Sequence, residues 1–320
     1  MTLRCAVLDD YQGVALSMAD WTPLAGEVEV SALRRHLDDP DELVAAIANC
    51  QIVVAMRERT PFGADLFARL PELRLLVTTG MRNASIDLAA AAVHGVTVCG
   101  TAGAFEPTVE LTWALVLGLA RHLVTESTAF RDGGWQSTVG VDLAGRRLGV
   151  LGLGRIGGRV AQVGSAFGMD VVAWSTNLTA ERAAAEGVTL APSMAELLAT
   201  SDVVSIHLVL GERTRGLLGA GELALMKPTA YLVNTSRAAI VDTDALVEAL
   251  RAGRIAGAGL DVFDVEPLPA GHPLRSLPTV LATPHLGYVS ERNYRVHYFP
   301  QVVEDITAYL AGTPVRALGG

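Results

Sequence analysis

Residues 151–159 of the chain read LGLGRIGGR, which places Gly152, Gly154 and Gly157 at the spacing G-x-G-x-x-G. The segment that leads into them, RLGVLGL, is apolar and typical of a buried strand, and a helical segment follows. A strand, a glycine-rich turn and a helix in this order predict the first unit of a doubly wound α/β sheet. The unit begins almost halfway along the 320 residues, so the chain before it requires its own explanation.

The rest of the chain repeats this alternation of short apolar segments with helical ones. Before the glycines, the strand candidates are CAVLD, VEVSAL, IVVAM, LRLLVTT and VTVC. From the glycines onward we count five, RLGVLGLG, DVVAWS, DVVSIHL, AYLVNTS and IAGAGLDVF, in a sheet that ends near Thr283. Strands that alternate with helices favour parallel sheets, and a chain of this length suits two hydrophobic cores. We therefore expect an α/β protein with two Rossmann-like, doubly wound parallel-sheet domains.

Two longer helices are expected beside this alternation. Residues 110–131 predict one continuous helix whose first half is apolar nearly all round, which is typical of a helix buried between domains. The segment SERNYRVHYFPQVVEDITAYLAG predicts a terminal helix that is interrupted or kinked at Pro300, because proline lacks the backbone N–H that continues a helix.

The composition excludes several functional classes. A formal net charge of −9, without a cluster of Lys and Arg, argues against a nucleic-acid or anionic-membrane surface. The longest apolar run, Leu111–Ala120, is about half the length that spans a bilayer. The amino terminus lacks the basic and then apolar layout of a signal peptide, so a cytoplasmic location is expected. Cys5, Cys50 and Cys99 lie in or beside apolar runs without paired spacing, which predicts buried, inert thiols.

Each glycine of the motif has a physical role if the turn binds the phosphates of a dinucleotide. Gly152 permits the tight turn, Gly154 lets the backbone approach the pyrophosphate, and Gly157 lets helix and strand pack closely. The amino terminus of the helix supplies N–H groups and a positive dipole end to the phosphates. The strand before the motif and the helix after it favour this interpretation over a glycine-rich turn that binds nothing.

The form of the dinucleotide is left open by the residues that follow. An acidic residue for the ribose hydroxyls is expected about 20 residues beyond the motif, at the end of the second strand. That position is Ser175, so no carboxylate rejects a 2′-phosphate, and neither Thr176 nor Asn177 is an arginine that attracts one. The sequence therefore predicts a nicotinamide cofactor, either NAD or NADP.

Three isolated polar residues follow predicted strands further along the chain: Arg237 in NTSRAAIVD, Glu266 in DVFDVEP and His285 in TPHLGYVS. The carboxyl ends of parallel strands share the edge of an open sheet where ligands bind, so these side chains are expected to converge there. Each alone has an ordinary explanation, as a surface charge, a loop acid or a core histidine. Together with the glycine motif they favour a catalytic site.

These motifs occur in the order found in one enzyme family. The chain resembles the D-isomer-specific 2-hydroxyacid dehydrogenases in FRDGGW, GLGRIG, DVVSIHL, MKPTAYLVNTSRAAIVD, GAGLDVFDVEPL and TPHLG, over essentially its whole length. The resemblance implies an NAD(P)-dependent enzyme that interconverts a 2-keto acid and its D-2-hydroxy acid. It also implies that a nucleotide-binding domain, residues 102–286, is inserted into a flavodoxin-like substrate-binding domain, residues 1–101 and 287–320, with the active site in the cleft between them.

The resemblance assigns the catalytic roles to the same three polar residues. Arg237 is expected to anchor the substrate carboxylate and polarise the carbonyl through charge-assisted hydrogen bonds, so that no metal is needed. His285 is expected to give a proton to the carbonyl oxygen, and Glu266 to orient the imidazole and favour its protonated form. The cofactor contacts that the resemblance implies are Gly152, Gly154, Arg155, Ile156, Gly157, Ser175, Thr176, His207, Thr235 and Asp261.

The substrate loop departs from the family pattern. Family members carry a loop of the form G-x-G-x-D-N-x-D, whose amides meet the substrate carboxylate, and here Gly80 and Met81 are followed by Arg82 in place of the second glycine. Arg82 either adds a cation to the pocket or points to solvent. Arg57, in AMRERT, resembles an arginine that lies near the distal phosphate of the substrate in phosphoglycerate dehydrogenases. If both arginines face the substrate, a doubly anionic 2-keto acid is expected.

Other functions share parts of this pattern. Transcriptional corepressors of the same family are nucleotide-sensing binding proteins that keep the fold and the triad, but they carry extra tails for partner recruitment, which leaves the enzyme favoured. Other bilobed NAD enzymes, such as alanine or formate dehydrogenases, fit less well, because the formate enzymes place Gln before the histidine, whereas Thr283 and Pro284 precede His285. The family is usually dimeric through its nucleotide domains, so a homodimer is expected, with apolar residues 111–130 as the interface.

Overall fold

The computed structural model describes residues 2–319 of the chain. This range divides into two compact units, which part between Ala104 and Phe105 and again between Tyr288 and Val289. We call residues 105–288 the inserted unit, and the residues on either side of it the split unit. The chain thus leaves the split unit, builds the inserted unit and then returns to complete the split unit.

The elements of residues 2–319 alternate between strand and helix along most of the chain. The strands are β1 (Leu3–Val7), β2 (Val28–Ala32), β3 (Ile52–Ala55), β4 (Leu75–Thr78), β5 (Thr97–Gly100), β6 (Arg147–Leu151), β7 (Asp170–Trp174), β8 (Thr189–Leu190), β9 (Val203–Ile206), β10 (Tyr231–Asn234), β11 (Gly257–Leu260) and β12 (Val280–Ala282). The α-helices are α1 (Pro40–Ile47), α2 (Ala64–Ala68), α3 (Leu88–Val93), α4 (Glu106–Ala120), α5 (Leu123–Arg131), α6 (Arg155–Ala166), α7 (Ala180–Ala185), α8 (Met194–Thr200), α9 (Ala220–Leu223), α10 (Thr243–Arg251) and α11 (Phe299–Leu310).

The split unit is built on a five-stranded parallel sheet with the order β2-β1-β3-β4-β5. Every residue of β3, IVVA, and of β4, LLVT, is buried. Continuous apolar strands of this kind are typical of a parallel sheet that is covered on both faces. The order 2-1-3-4-5 is the flavodoxin-like form of the doubly wound fold, which confirms the predicted fold class for this unit.

The inserted unit is built on a seven-stranded parallel sheet with the order β12-β11-β10-β9-β6-β7-β8. The strand order reverses between β6 and β9, and a doubly wound sheet binds its ligands at the carboxyl ends of the strands beside such a reversal. The fold class is confirmed here as well. The count of five strands was wrong, because β8 and β12 have only two and three residues and carry no periodic pattern of their own.

The single helix predicted over residues 110–131 is two helices, α4 and α5, so that prediction was wrong. His122 lies between them in the left-handed region, at φ +50°. Such a residue stops the α-helical hydrogen-bond ladder, and neither glycine nor proline marks the stop in the sequence. Most residues of α4 are buried, whereas α5 buries none.

The terminal helix was predicted to be interrupted or kinked at Pro300, and that prediction was wrong, because the helix continues through the proline and its irregular part precedes it. Asn293–Tyr298 form a π-helical segment that runs directly into α11, whose first turn contains Pro300. In a first helical turn the missing N–H of proline removes no α-helical hydrogen bond. Pro300 therefore begins a regular helix rather than breaking one.

Two expectations from composition concern the whole chain. No helix among residues 2–319 is long and apolar enough to cross a membrane. Cys5, Cys50 and Cys99 are buried free thiols, as predicted. Burial raises the pKa of each thiol, to about 11 for Cys99, which keeps them protonated and unreactive at neutral pH.

Candidate active site

The three predicted catalytic residues follow β10, β11 and β12, at the carboxyl edge of the inserted unit's sheet. Two of them are in direct contact, because Nδ1 of His285 lies 2.6 Å from Oε2 of Glu266. The other oxygen of Glu266, Oε1, accepts a hydrogen bond of 2.8 Å from the backbone N–H of Phe263. Both side chains are largely buried, with 19% of His285 and 27% of Glu266 exposed. Since Nδ1 faces the carboxylate, Nε2 is the ring nitrogen available to exchange a proton with a substrate.

A buried asparagine shapes the turn that presents Arg237. Asn234, at the end of β10, accepts a 3.0 Å hydrogen bond from the N–H of Ser236 and donates one of 3.0 Å to the carbonyl of Arg237. The hydroxyl of Ser236 donates to the carbonyl of Leu208 at 2.6 Å, which ties the turn to the loop after β9. The Arg237 guanidinium donates from Nη1 to the Ser236 carbonyl at 2.8 Å. The turn is therefore held by contacts within its own residues and by the neighbouring loop.

The turn that carries His285 is held by Asp261, which lies directly after β11. His285 has a left-handed backbone, with φ +53°, which residues other than glycine seldom adopt. The Asp261 side chain is buried, with 1% exposed. Its Oδ1 accepts hydrogen bonds of 2.7 Å from the Thr283 hydroxyl and from the Leu286 N–H. Its Oδ2 accepts a hydrogen bond of 2.8 Å from the Gly287 N–H. Burial raises the pKa of Asp261, and these hydrogen bonds together with the nearby His285 oppose the rise.

The glycine motif forms the turn predicted for a dinucleotide. Gly152 has φ +97°, and a Cβ there would lie 2.7 Å from the carbonyl oxygen of His207. A Cβ on Gly157 would lie 2.0 Å from the carbonyl oxygen of Gly152, so α6 packs against the turn too closely for any side chain. Gly154 caps the start of α6, and a Cβ there would meet no protein atom within 4 Å. This combination of a tight turn, close packing and open space at a helix amino terminus fits the pyrophosphate of a nicotinamide dinucleotide.

The other predicted cofactor residues near this turn lie on two neighbouring segments of the inserted unit. Arg155 and Ile156 form the start of α6, and the Arg155 guanidinium lies 5.6 Å from the centre of the Phe105 ring. Ser175 and Thr176 follow β7, which pairs with β6. Ser175 is partly buried and Thr176 is exposed. Both segments therefore lie at the carboxyl edge of the strands beside the glycine turn.

His207 and Thr235 continue the same edge after β9 and β10. Nε2 of His207 lies 2.8 Å from the hydroxyl of Ser205, and burial lowers the pKa of His207 to about 4. The hydroxyl of Thr235 lies 2.8 Å from that of Thr112 on α4. Because His207 is neutral at physiological pH, it is unsuited to donate a proton there, and His285 is the histidine that remains for this role.

The predicted substrate residues Arg57, Gly80, Met81 and Arg82 follow β3 and β4 in the split unit. The Arg57 guanidinium covers Gly80, since a Cβ on Gly80 would lie 1.8 Å from Nη1 of Arg57. Nε of Arg57 lies 3.6 Å from Oε2 of Glu58, which offsets part of the arginine's charge. Arg82 is exposed, and Met81 is 44% exposed. The structure therefore brings Arg57 and Gly80 together, whereas the exposure of Arg82 favours the solvent alternative for that side chain.

Two threonines on α4 contact the site and were not predicted. The hydroxyl of Thr108 donates to the carbonyl of Gly287 at 2.9 Å. The hydroxyl of Thr112 donates to the Thr108 carbonyl at 2.8 Å, and it also contacts Thr235. Residues four positions apart share one face of a helix, so two threonines at this spacing in a largely apolar helix were a usable signal.

Comparison with known proteins identifies relatives of the chain. Residues 113–287 match the family described as "D-isomer specific 2-hydroxyacid dehydrogenase, NAD binding domain". A glyoxylate reductase from Aeropyrum pernix is 42% identical over 258 residues, which cover 78% of this chain and 76% of the relative. A D-3-phosphoglycerate dehydrogenase from Bacillus subtilis is 38% identical over 265 residues, which cover 82% of this chain but only 50% of that relative.

A solved structure is similar over nearly the whole chain. The crystal structure of phosphoglycerate oxidoreductase from Vibrio cholerae matches with a TM-score of 0.92 and 37% identity, covering 97% of this chain and 100% of that chain. These relatives carry enzyme names, and none of them supports the corepressor alternative.

Proposed function

The chain belongs to the D-isomer-specific 2-hydroxyacid dehydrogenase family, and from this premise we propose that it is a nicotinamide-dependent oxidoreductase that interconverts a 2-keto acid and its D-2-hydroxy acid. The observation that carries the proposal is the contact of 2.6 Å between His285 and Glu266. This contact supports an acid–base role for the two residues, which follow strands at the carboxyl edge of a sheet whose glycine turn fits a dinucleotide.

The residues that would hold the cofactor lie around the point between β6 and β9 where the strand order of the sheet reverses. The N–H groups at the start of α6 would bind the pyrophosphate, and Gly154 leaves the space for its approach. Ser175 and Thr176 would face the ribose of the adenosine. When bound, the nicotinamide supplies a hydride to the carbonyl carbon of the keto acid and accepts one in the reverse direction.

His285 moves the proton that accompanies this reduction. The carbonyl oxygen gains negative charge as the carbon is reduced, and it takes a proton from Nε2 of His285. The Glu266 carboxylate on Nδ1 stabilises the imidazolium and fixes the plane of the ring. In the oxidative direction Nε2 receives the proton from the hydroxyl group of the substrate.

Arg237 binds and orients the acid in this proposal. A guanidinium presents a planar set of N–H donors that matches a carboxylate and an adjacent carbonyl oxygen. The positive charge of a guanidinium polarises the carbonyl in both directions of the reaction. The hydrogen bonds of Asn234 in the preceding turn limit the positions that Arg237 adopts.

For the substrate class we propose a 2-keto acid with a second anionic group, bound by Arg57. The support is a guanidinium that lies against the Gly80 turn, in the loop that resembles the family's carboxylate-binding loop. The test compares kcat/KM for phosphohydroxypyruvate with that for pyruvate and glyoxylate, in the wild type, Arg57→Gln and the control Arg82→Gln. Arg57→Gln is expected to lower kcat/KM for the doubly charged acid alone. Equal or better rates of the wild type with pyruvate or glyoxylate contradict the proposal.

The preference for NAD or NADP is proposed to be weak. Ser175 neither repels a 2′-phosphate, as a carboxylate does, nor attracts it, as an arginine does. Both reduced cofactors should therefore support turnover, and Ser175→Asp should lower kcat/KM for NADPH while it preserves that for NADH. A wild-type enzyme that discriminates strongly between the two cofactors would refute this proposal.

We also propose that the protein is a homodimer, with α5 in the interface. Most of α4 is buried, which leaves α5 and the segment after it as the exposed apolar part of this region. Phe130 and Trp135 are 66% and 74% exposed, and their ring centres lie 6.3 Å apart. Exposed apolar surface of this kind is typical of an interaction site. Light scattering at micromolar concentration should give the dimer mass, and Phe130→Asp should give the monomer; a monomeric wild type contradicts the proposal.

The cytoplasmic location expected from the sequence stays a prediction.

The experiment that tests the activity follows the absorbance of the reduced nicotinamide. NADH and NADPH are tested separately with glyoxylate, hydroxypyruvate, phenylpyruvate and phosphohydroxypyruvate. Turnover that is lost in His285→Ala and kept in His94→Ala, which changes an exposed histidine at the end of α3, supports the proposal. The proposal is overturned in this form if turnover persists in His285→Ala. It is also overturned if both cofactors bind but none of the acids is reduced.

A further inference from the structure

We infer that Asp261 is a positioning residue, which holds the turn around His285 in its left-handed conformation and thereby sets the direction of the imidazole. The inference rests on the proposed function, because it assigns a task to Asp261 in the same reaction. It differs from the role of cofactor contact that the sequence suggested for this residue.

The three hydrogen bonds to the Asp261 carboxylate all come from the segment around His285. Its carboxylate receives hydrogen bonds from the residue two positions before His285, Thr283, and from the two residues after it, Leu286 and Gly287. A left-handed backbone is strained for a residue other than glycine, so it persists only where the surroundings hold it. Three donors on one buried carboxylate, on both sides of His285, supply that restraint.

A second restraint acts on the turn from α4. The hydroxyl of Thr108 donates to the carbonyl of Gly287, while the N–H of Gly287 donates to Asp261. A Cβ on Gly287 would lie 3.1 Å from Oδ2 of Asp261 and 3.3 Å from the hydroxyl oxygen of Thr108. The peptide groups on both sides of Gly287 are therefore fixed, and the space between the two restraining side chains is matched to glycine.

The charge of Asp261 matters as well as its shape. Hydrogen bonds to an ionised carboxylate are about twice as strong as those between neutral groups. In an asparagine one carboxylate oxygen is replaced by an NH₂ group, which cannot accept a hydrogen bond. At least one of the hydrogen bonds from the N–H groups of Leu286 and Gly287 would therefore be lost. Asp261→Asn therefore weakens the restraint with almost no change of volume.

The two roles for Asp261 predict different kinetics. If it positions His285, Asp261→Asn lowers kcat at saturating cofactor by at least about tenfold, within the range of general acid–base contributions, and leaves the Kd for NADH within about twofold. If it is a cofactor ligand, the Kd rises and kcat at saturation is retained. The matched control is Asp202→Asn, since Asp202 also accepts a backbone N–H, from Arg147, but at the amino end of β9. This control should keep kcat.

Amide hydrogen exchange tests the restraint without any turnover. In the wild type the N–H groups of Leu286 and Gly287 should exchange slowly, and Asp261→Asn should speed their exchange while the N–H groups of β6 remain protected. Unchanged exchange in a folded Asp261→Asn overturns the inference. If no acid is reduced by the wild type, the proposed function fails, but this measurement still decides whether the carboxylate holds the turn.

A second pair of variants covers the case in which Asp261→Asn does not fold. Thr108→Val and Thr283→Val each remove one hydroxyl donor and retain the shape of the side chain. Each is expected to speed exchange at Gly287 and to lower kcat by less than Asp261→Asn, with the Kd for NADH unchanged. Retained kcat and retained exchange in both variants overturn the inference.

Discussion

The imidazole of His285 and the carboxylate of Glu266 are joined by a contact of 2.6 Å between Nδ1 and Oε2, and Oε1 of the same carboxylate is held at 2.8 Å by the N–H of Phe263. Glu266 is therefore fixed through both oxygens. The orientation of the imidazole depends on two loops at once, the one after β11 that carries Glu266 and the turn after β12 that carries His285.

The first prediction concerns the charge of Glu266. Glu266→Gln should lower kcat by about 10²-fold with little change in the KM for the keto acid, because the amide cannot stabilise an imidazolium as a carboxylate does. Steady-state kinetics at saturating cofactor measure the loss. The control is Glu248→Gln, which changes an exposed acid on α10 and should leave kcat and KM unchanged. A kcat for Glu266→Gln within twofold of the wild type would show that the carboxylate is dispensable.

The second prediction concerns the shape of the Arg237 cation. Arg237→Lys keeps the charge but replaces a planar fork of donors by a compact ammonium, so kcat/KM should fall by about 10²-fold. The loss should appear in KM as well as in kcat, because the carboxylate is held in the ground state too. Arg251→Lys changes an exposed arginine on α10 in the same unit, and it should leave both constants unchanged. Equal kcat/KM for the wild type and Arg237→Lys would exclude bidentate recognition.

The third prediction separates two glycines of one motif. Gly157→Ala should lower the melting temperature sharply, because its Cβ would lie 2.0 Å from a backbone oxygen. Gly154→Ala should leave the melting temperature without cofactor nearly unchanged, since its Cβ meets no protein atom within 4 Å. Its Kd for NADH should rise, because the methyl group fills the approach to the α6 amides. A Gly154→Ala variant that binds NADH as tightly as the wild type would place the pyrophosphate elsewhere.

The fourth prediction is a pH dependence of stability that originates at His207. Burial lowers the pKa of His207 from 6.5 to about 4, so between these values the unfolded chain binds the proton and the folded chain does not. The stabilisation is complete above pH 6.5 and is lost as the pH falls toward 4, by about 3 kcal/mol in all. Urea unfolding of the cofactor-free protein at pH 7 and pH 4.5 measures it. His207→Asn should show a smaller difference between the two pH values than the wild type, and an equal difference would contradict the assignment.

Much of the fold followed from the sequence alone, whereas the catalytic roles of Arg237, Glu266 and His285 stay predictions. Apolar strands alternating with helices determined two parallel sheets, because each strand carries its burial pattern in its own residues. The glycine spacing determined the turn before α6, because only glycine tolerates the backbone angles and close packing found at Gly152 and Gly157. The contact between Glu266 and His285 was expected from their positions after parallel strands, which end at one edge of the sheet.

Other features depend on contacts between distant parts of the chain, and only the tertiary structure decided them. The break at His122 has no local sequence signal, and the low pKa of His207 arises from burial by the surrounding fold. The Asp261 carboxylate accepts hydrogen bonds from residues 22 to 26 positions away, and Thr108 contacts Gly287 at a separation of 179; no local pattern predicts these contacts. Local patterns specify which elements form, whereas the partners of a buried polar group are set only when the elements pack and each such group must find a hydrogen bond.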